Sequence, residues 1–377
     1  MEELNTNITE RRRQTRSAIF SLLYESEEPC TKQSIAKTLN LSLPTVYQNI
    51  DELVEAGYIE YCGFRPSRTG RPAMGLRVVN GIRYAIGLSI TQKKIRFALT
   101  DLSKEELAYK SVLHRMDVRS PEFISFVAEE LEHFIDENSL DRERLLGVGI
   151  TLAGIIKPES NKILYAPTLH LVDFSLDAMA DAIHYPVYIE NDASSGGFAE
   201  WFNNSEDSNI AYLSLEEGVG GALFINGEPY TGKNNRSGEF GHMCVEIGGR
   251  RCKCGRYGCL EAYCSSLRIN SDFGTDCEEF FAKLDEGDEK ALRIWEDYKS
   301  HLATGIVNIR MALDCEIVLG GFLAEYLRPR LPEITALLRE RDSFDHECSY
   351  LKISHLPKYS SILGVALSFI REFINSI

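Results

Sequence analysis

The sequence predicts an α/β body preceded by a small α+β winged helix-turn-helix head. Three observations carry this expectation. The first eighty residues hold capped helix signals followed by two short strand-like runs, and from residue 81 onward strand-like runs alternate with helical stretches. The charge also changes sign between the two parts. Residues 11–80 carry 10 Lys and Arg against 7 Asp and Glu, whereas residues 81–377 carry 31 against 46 and account for the net charge of −15. An acidic surface repels nucleic acid, so any contact with DNA falls to the head.

A chain of 377 residues exceeds one hydrophobic core, so two or three domains are expected, the first of them residues 1–80. A hydrophobic content of 44% and a charged content of 26% exclude a disordered or fibrous chain. The N-terminus lacks the apolar stretch of a secretion signal, and no run of about 18 apolar residues occurs, so the sequence predicts a cytoplasmic protein without a membrane partner. Ten cysteines are too few for a disulfide scaffold in a chain of this length, and metal ligation ranks above disulfide bonding.

In the head, Ile19, Leu22 and Leu23 recur at helical spacing after the basic run Arg11, Arg12, Arg13 and Arg16. Thr31 reads as the N-cap of a short helix with Ile35, Ala36 and Leu39 inward, and Ser42 as the N-cap of the next. Pro44 suits the first turn of that second helix. Its expected buried stripe is Val46, Ile50, Leu53 and Val54, which leaves Thr45, Tyr47, Gln48, Asn49 and Glu52 exposed. Two short helices joined at Asn40-Leu41 have helix-turn-helix proportions, and Gly57 ends the second. The runs YIEYCGF and MGLRVV then flank RPSRTGRPA as a wing with a basic tip. Thr45, Gln48 and Asn49 are placed to read bases, while Arg65, Arg68 and Arg71 suit phosphates or a narrow minor groove. The alternative is a small helical protein-interaction domain with a solvated basic loop; the wing favours DNA.

In the body, YAIGLSI, IRFALTD, LLGVGITLA, VYIEN, IAYLSL, GALFING and EIVLGG read as strands, and residues 121–137 and 288–313 as helices. Strands follow one another without an intervening helix near the start of each half, which predicts a hairpin-led sheet built twice. Residues 252–261, CKCGRYGCLE, set Cys252, Cys254 and Cys259 in one tight loop whose Gly255 and Gly258 permit sharp turns. His242, ten residues upstream in SGEFGHM, completes a Cys3His set for Zn²⁺. The alternative is a reduced structural cluster; a redox role is disfavoured because no Cys-x-x-Cys pair is present.

These residues and their neighbours resemble the signature of the ROK family of repressors, open reading frames and sugar kinases. The resemblance rests on GEFGH at 238–242, CKCGRYGCLE at 252–261, ENDAS at 190–194, YAPTL at 165–169 and VLGG at 318–321. It implies a two-lobed actin/hexokinase-like (ribonuclease H-like) body, with residues 81–190 and 191–377 as the lobes, a C-terminal helix able to return to the first of them, and His242, Cys252, Cys254 and Cys259 as zinc ligands. It also implies a sugar pocket lined by Asn191, Asp192, Glu239, His242 and Glu261, with Thr168 where the family has Asn. Carboxylates, an amide and an imidazole suit vicinal hydroxyls. The phosphate loops of the family's kinases are altered. GLSITQKK at 87–94 has Ser89, Thr91 and Lys93 where Asp, Gly and Thr belong, and LSLEEGVGG at 213–221 has Glu216 and Glu217 where Gly and Thr belong. Carboxylates repel a nucleotide, so the expected protein is a sugar- or sugar-phosphate-responsive regulator. It is expected to act as a homodimer or homotetramer on a palindromic operator, without kinase activity. The competing reading is an ATP-dependent sugar kinase with an appended head.

Overall fold

The computed structural model describes residues 2–65, 73–166, 169–204, 209–356 and 359–377. The head opens with α1 (Glu2–Glu25), which buries Ile19, Phe20 and Leu23. Thr31 caps α2 (Lys32–Thr38) in a reciprocal capping box with Ser34. Ser42 caps α3 (Leu43–Glu55) by accepting the Thr45 N–H, and Pro44 lies in its first turn. β1 (Ile59–Arg65) and β2 (Ala73–Val78) pair antiparallel as the wing. One expectation fails. Asn49 is 5% exposed and donates its amide to the Thr45 carbonyl at 2.8 Å. It lies three residues after Val46 and four before Leu53, on the same helical face, so α3 buries it with Ile50.

The body repeats one topology. β3 (Tyr84–Ile90), β4 (Lys94–Asp101) and β5 (Ala108–Leu113) form an antiparallel meander. α4 (Pro121–Glu137), capped by Ser120, returns the chain so that β6 (Leu145–Leu152) joins parallel to β3. A small antiparallel sheet of β7 (Ile155–Lys157), β8 (Lys162–Ala166) and β9 (Leu171–Ser175) intervenes. After α5 (Asp177–Ala182), β10 (Val187–Asn191) adds parallel to β6, giving the order β10-β6-β3-β4-β5. α6 (Asp192–Asn204) follows at once.

The second sheet starts with β11 (Ile210–Leu215), β12 (Val219–Ile225) and β13 (Glu228–Pro229) as another antiparallel meander. A long excursion through α7 (Glu261–Cys264), α8 (Ser266–Phe273), α9 (Cys277–Asp285) and α10 (Glu289–Leu313) precedes β14 (Glu316–Gly320), parallel to β11. α11 (Ala324–Leu327) and α12 (Leu331–Arg341) lead to β15 (Leu351–Ile353), parallel to β14. The order β13-β12-β11-β14-β15 matches the first sheet strand for strand. The hairpin-led sheet built twice is therefore the architecture, an α/β body of two lobes behind an α+β head. The small β7–β9 sheet carries no advance signal, because its strands are only three to five residues long. No helix among the described residues is long and apolar enough to cross a membrane.

α13 (Ser360–Ser376) lies across β3, β4 and β6 and along α6. The approach is close: a Cβ on Gly364 would fall 1.8 Å from the Ser195 carbonyl oxygen, and one on Gly87 would fall 1.9 Å from the Ile362 carbonyl oxygen. Each lobe has its own apolar core, and a third core joins Ile19, Phe20 and Leu23 of the head to Phe198 of α6 and to Leu367, Ile370 and Ile374 of α13. Aromatic contacts pin this junction. Tyr58 meets Phe373 edge-on at 5.7 Å, Tyr24 meets Phe202 at 6.2 Å, and Lys104 donates to the Phe202 carbonyl at 3.1 Å from above the Tyr24 ring. Gly364→Val overpacks the α6–α13 crossing, and urea denaturation is expected to show a loss of about 3 kcal/mol.

Candidate ligand site and metal cluster

Asn191 and Asp192 sit where β10 ends and α6 begins, so the first sheet delivers them to a helix N-terminus facing the second lobe. Asn191 donates from Nδ2 to the Gly154 carbonyl at 2.7 Å and accepts the Ser194 N–H at 3.0 Å. Asp192 accepts the Ala193 N–H at 2.9 Å. Burial raises the Asp192 carboxyl above its ordinary value, and the N–H bond offsets part of that.

The β11–β12 hairpin supplies a second wall. Glu216 turns inward and accepts the Phe322 N–H at 3.0 Å, where the VLGG strand end turns, while Glu217 is exposed. Burial, reinforced by Asp192, pushes the Glu216 carboxyl up to about 8. On the same hairpin the Val219 N–H donates to Glu261 at 3.2 Å. Burial also raises Glu239; His242 lowers it, and Glu261 and Asp192 raise it further. Four carboxylates, Asp192, Glu216, Glu239 and Glu261, therefore share one neighbourhood.

The loop from Gly238 to Glu261 holds the last two of these and the Cys/His cluster. Single ligand atoms of His242, Cys252, Cys254 and Cys259 all lie within 4.8 Å of one another. The Cys254 and Cys259 sulfurs are 3.8 Å apart, and Cys252 Sγ is 3.7 Å from His242 Nδ1. Zinc–sulfur bonds of about 2.3 Å in a tetrahedron require sulfur–sulfur edges of about 3.8 Å, so this donor set fits that ion. Burial pushes the Cys252 and Cys259 thiols up, which opposes thiolates unless a cation joins them. The loop closes because Gly258 holds a φ of 77° and packs so tightly that a Cβ would lie 1.7 Å from the Glu246 carbonyl oxygen. Its far side is clamped: the Arg250 N–H donates to Tyr263 Oη at 2.7 Å, and the Arg250 guanidinium pairs with Asp272 and Asp297 at 3.0 Å each. The other His242 nitrogen, Nε2, lies 3.8 Å from Glu239.

The structure thus brings Asp192, Glu239, Glu261 and the four-residue cluster to one cleft, with Asn191 tied to Gly154 at its edge. Thr168 lies outside the described residues. In the head, Gln48 is exposed with its amide 3.3 Å from Glu52, and Thr45 is half-buried with its hydroxyl 2.8 Å from that of Ser42. Arg65 closes β1; Arg68 and Arg71 lie outside the described residues. Two participants were not anticipated. The Glu216–Phe322 bond joins positions 106 apart and has no local signal. Arg96, which lowers the Glu216 carboxyl and lies 4.2 Å from the Tyr359 ring, pairs opposite Ser89, so the hairpin register was the only pointer to it.

A helix-turn-helix head on a duplicated, two-lobed body with a polar cleft and a Cys/His cluster defines the class of this protein. A helix-turn-helix domain model matches residues 14–62, and the ROK family model matches residues 85–371. The chain belongs to the ROK family. It is 26% identical to the xylose repressor of Bacillus spizizenii, with 92% of each chain covered. It is 25% identical to the DNA-binding transcriptional dual regulator NagC of Escherichia coli, with 96% of each covered. Among solved structures, a ROK family transcriptional regulator described as a homologue of the E. coli MLC protein superposes with a TM-score of 0.76 at 22% identity over 97% of both chains. A ROK family glucokinase from Streptomyces griseus, in complex with glucose and AMPPNP, superposes with a TM-score of 0.65 at 19% identity, covering 76% of this chain and 98% of that one.

Glu216 generates a pH dependence. Its carboxyl is raised from an ordinary 4.5 to about 8, so the folded chain holds this proton more tightly than the unfolded chain. The associated stability is complete below 4.5 and is lost as pH rises through about 8. Denaturation curves across that window are expected to show stability falling with pH, with a flatter profile in Glu216→Gln.

Proposed function

We propose that this chain is a sugar-responsive transcriptional repressor of carbohydrate-utilisation genes, acting in the cytoplasm as a homodimer or homotetramer on a palindromic operator. One observation supports it above the rest: α6 starts at the polar cleft with Asp192 and meets the head through Phe202, about 15 Å away. A sugar, or a sugar phosphate, held between the lobes by Asn191, Asp192, Glu239, His242 and Glu261 favours one closure state, and α6 carries that choice to α1. The names of the relatives, a xylose repressor and NagC, agree with such a ligand class.

In this reading Zn²⁺ is a structural ion held by His242, Cys252, Cys254 and Cys259. With Nδ1 of His242 turned to the cysteines, Nε2 would remain for a hydroxyl, while the same loop presents Glu239 and Glu261. The head reads the major groove through Thr45 and Gln48 at the start of α3, with Arg65, Arg68 and Arg71 of the wing against phosphates. Asn49 leaves the set of base-reading residues because its amide is spent on Thr45.

Loss of kinase activity belongs to the same proposal. The Phe322 N–H is occupied by Glu216 instead of being offered to a phosphate, and Ser89 stands where a magnesium-holding carboxylate belongs. A coupled assay with sugars and ATP is expected to show no sugar-dependent ADP release; brisk release abolished in Asp192→Asn contradicts the proposal. Gel-shift titrations are expected to separate two variants. Gln48→Ala weakens operator binding roughly 10-fold at the base it reads, whereas Glu239→Ala keeps operator affinity and loses release by sugar. Metal analysis of the purified chain is expected to find one zinc per chain, removed by Cys254→Ser together with several degrees of thermal stability.

A further inference from the structure

The sugar reading leaves the charge of the ligand open, and the cleft itself speaks to it. A phosphate needs donors: backbone N–H groups at a helix start or tight turn, or Arg and Lys side chains. Four backbone N–H groups of that kind around the described cleft are taken by side-chain oxygens of the chain. At the start of α6, Ala193 donates to Asp192 at 2.9 Å and Ser194 donates to Asn191 at 3.0 Å. At the end of β14, Phe322 donates to Glu216 at 3.0 Å. At the start of β12, Val219 donates to Glu261 at 3.2 Å. Three of the four oxygens belong to carboxylates. The chain has filled these anion-binding positions with its own side-chain oxygens.

Side-chain charge leads the same way. Among the described residues, the guanidinium groups that offset these carboxyls are Arg96, stacked on Tyr359 and facing Glu216, and Arg236, beside Glu239. Hydroxyl groups suit this surface, because each donates a hydrogen bond to a carboxylate and accepts one from His242 or Asn191. A phosphate dianion has no proton to donate to these oxygens and finds the Ala193, Ser194, Val219 and Phe322 N–H groups occupied.

Resting on the proposed sugar-binding role of this cleft, we infer that the effector is a neutral, unphosphorylated sugar and that Glu216 is a specificity-determining residue excluding sugar phosphates.

The test is titration calorimetry on the zinc-containing full chain with D-xylose, D-glucose and N-acetyl-D-glucosamine, and with the 6-phosphates of the last two and glucose 1-phosphate. At least one neutral sugar is expected to bind, with every phosphate roughly 100-fold weaker or undetectable, because the donors a phosphate needs are held by the chain's own oxygens. Glu216→Ala, which frees the Phe322 N–H, is expected to narrow that gap at least several-fold, an effect a purely structural role for Glu216 does not produce. A sugar phosphate binding as tightly as its parent sugar, or more tightly, overturns the inference while leaving the sugar-responsive reading intact. An unchanged gap in Glu216→Ala overturns the assignment of Glu216. Binding of none of these sugars, phosphorylated or not, removes the sugar reading and this inference with it.

Discussion

Where α13 crosses α6, Gly364 lies against the Ser195 carbonyl with no room for a methyl group, and the two helices share their apolar residues with the head. This crossing fixes the geometry of everything around it. α6 cannot shift along its axis without moving α13, and α13 rests on β3, β4 and β6 through an equally close contact at Gly87. A tightly packed interior transmits displacement instead of absorbing it. Because α6 carries Asp192 at its start and meets Tyr24 of α1 through Phe202, it is a packed path between the cleft and the head, along which the proposed switch runs.

The cleft is preorganised by bonds that the chain makes to itself. Asp192, Glu216 and Glu261 are each held by a backbone N–H, Asn191 is tied to Gly154, and the Gly238–Glu261 loop is clamped by Arg250 and Tyr263. Burial and mutual proximity raise these carboxyls above their ordinary values, and Glu216, at about 8, largely keeps its proton at neutral pH. A ligand rich in hydroxyls lowers the free energy of such a surface by replacing water with donors of fixed geometry. That differential gain between open and closed lobes is what a binding event needs to shift a population.

Much of the fold was legible in the sequence. YAIGLSI, VYIEN and IAYLSL coincide with β3, β10 and β11, and the helix at 121–137 coincides with α4, because continuous apolar runs and a Ser-Pro start are strong local signals. The caps at Thr31 and Ser42 follow from hydroxyl chemistry alone. What stayed hidden depends on distant partners. Asn49 was misjudged because an amide satisfied by a carbonyl one turn back looks, in sequence, like an exposed one. The cluster of His242, Cys252, Cys254 and Cys259 was visible because its spacing is local. The Glu216–Phe322 bond and the place of Arg96 were not, since only the sheet brings them together.

The central claim is that cleft and operator are coupled through α6. Coupling of this kind is reciprocal, and a free energy of about 1–3 kcal/mol corresponds to a factor of roughly 5–150. The direct measurement is a thermodynamic cycle on one preparation: operator affinity with and without saturating sugar, and sugar affinity with and without saturating operator. The account predicts that sugar weakens operator binding and operator weakens sugar binding by the same factor within that range. Sugar affinity that is identical on and off the operator contradicts it.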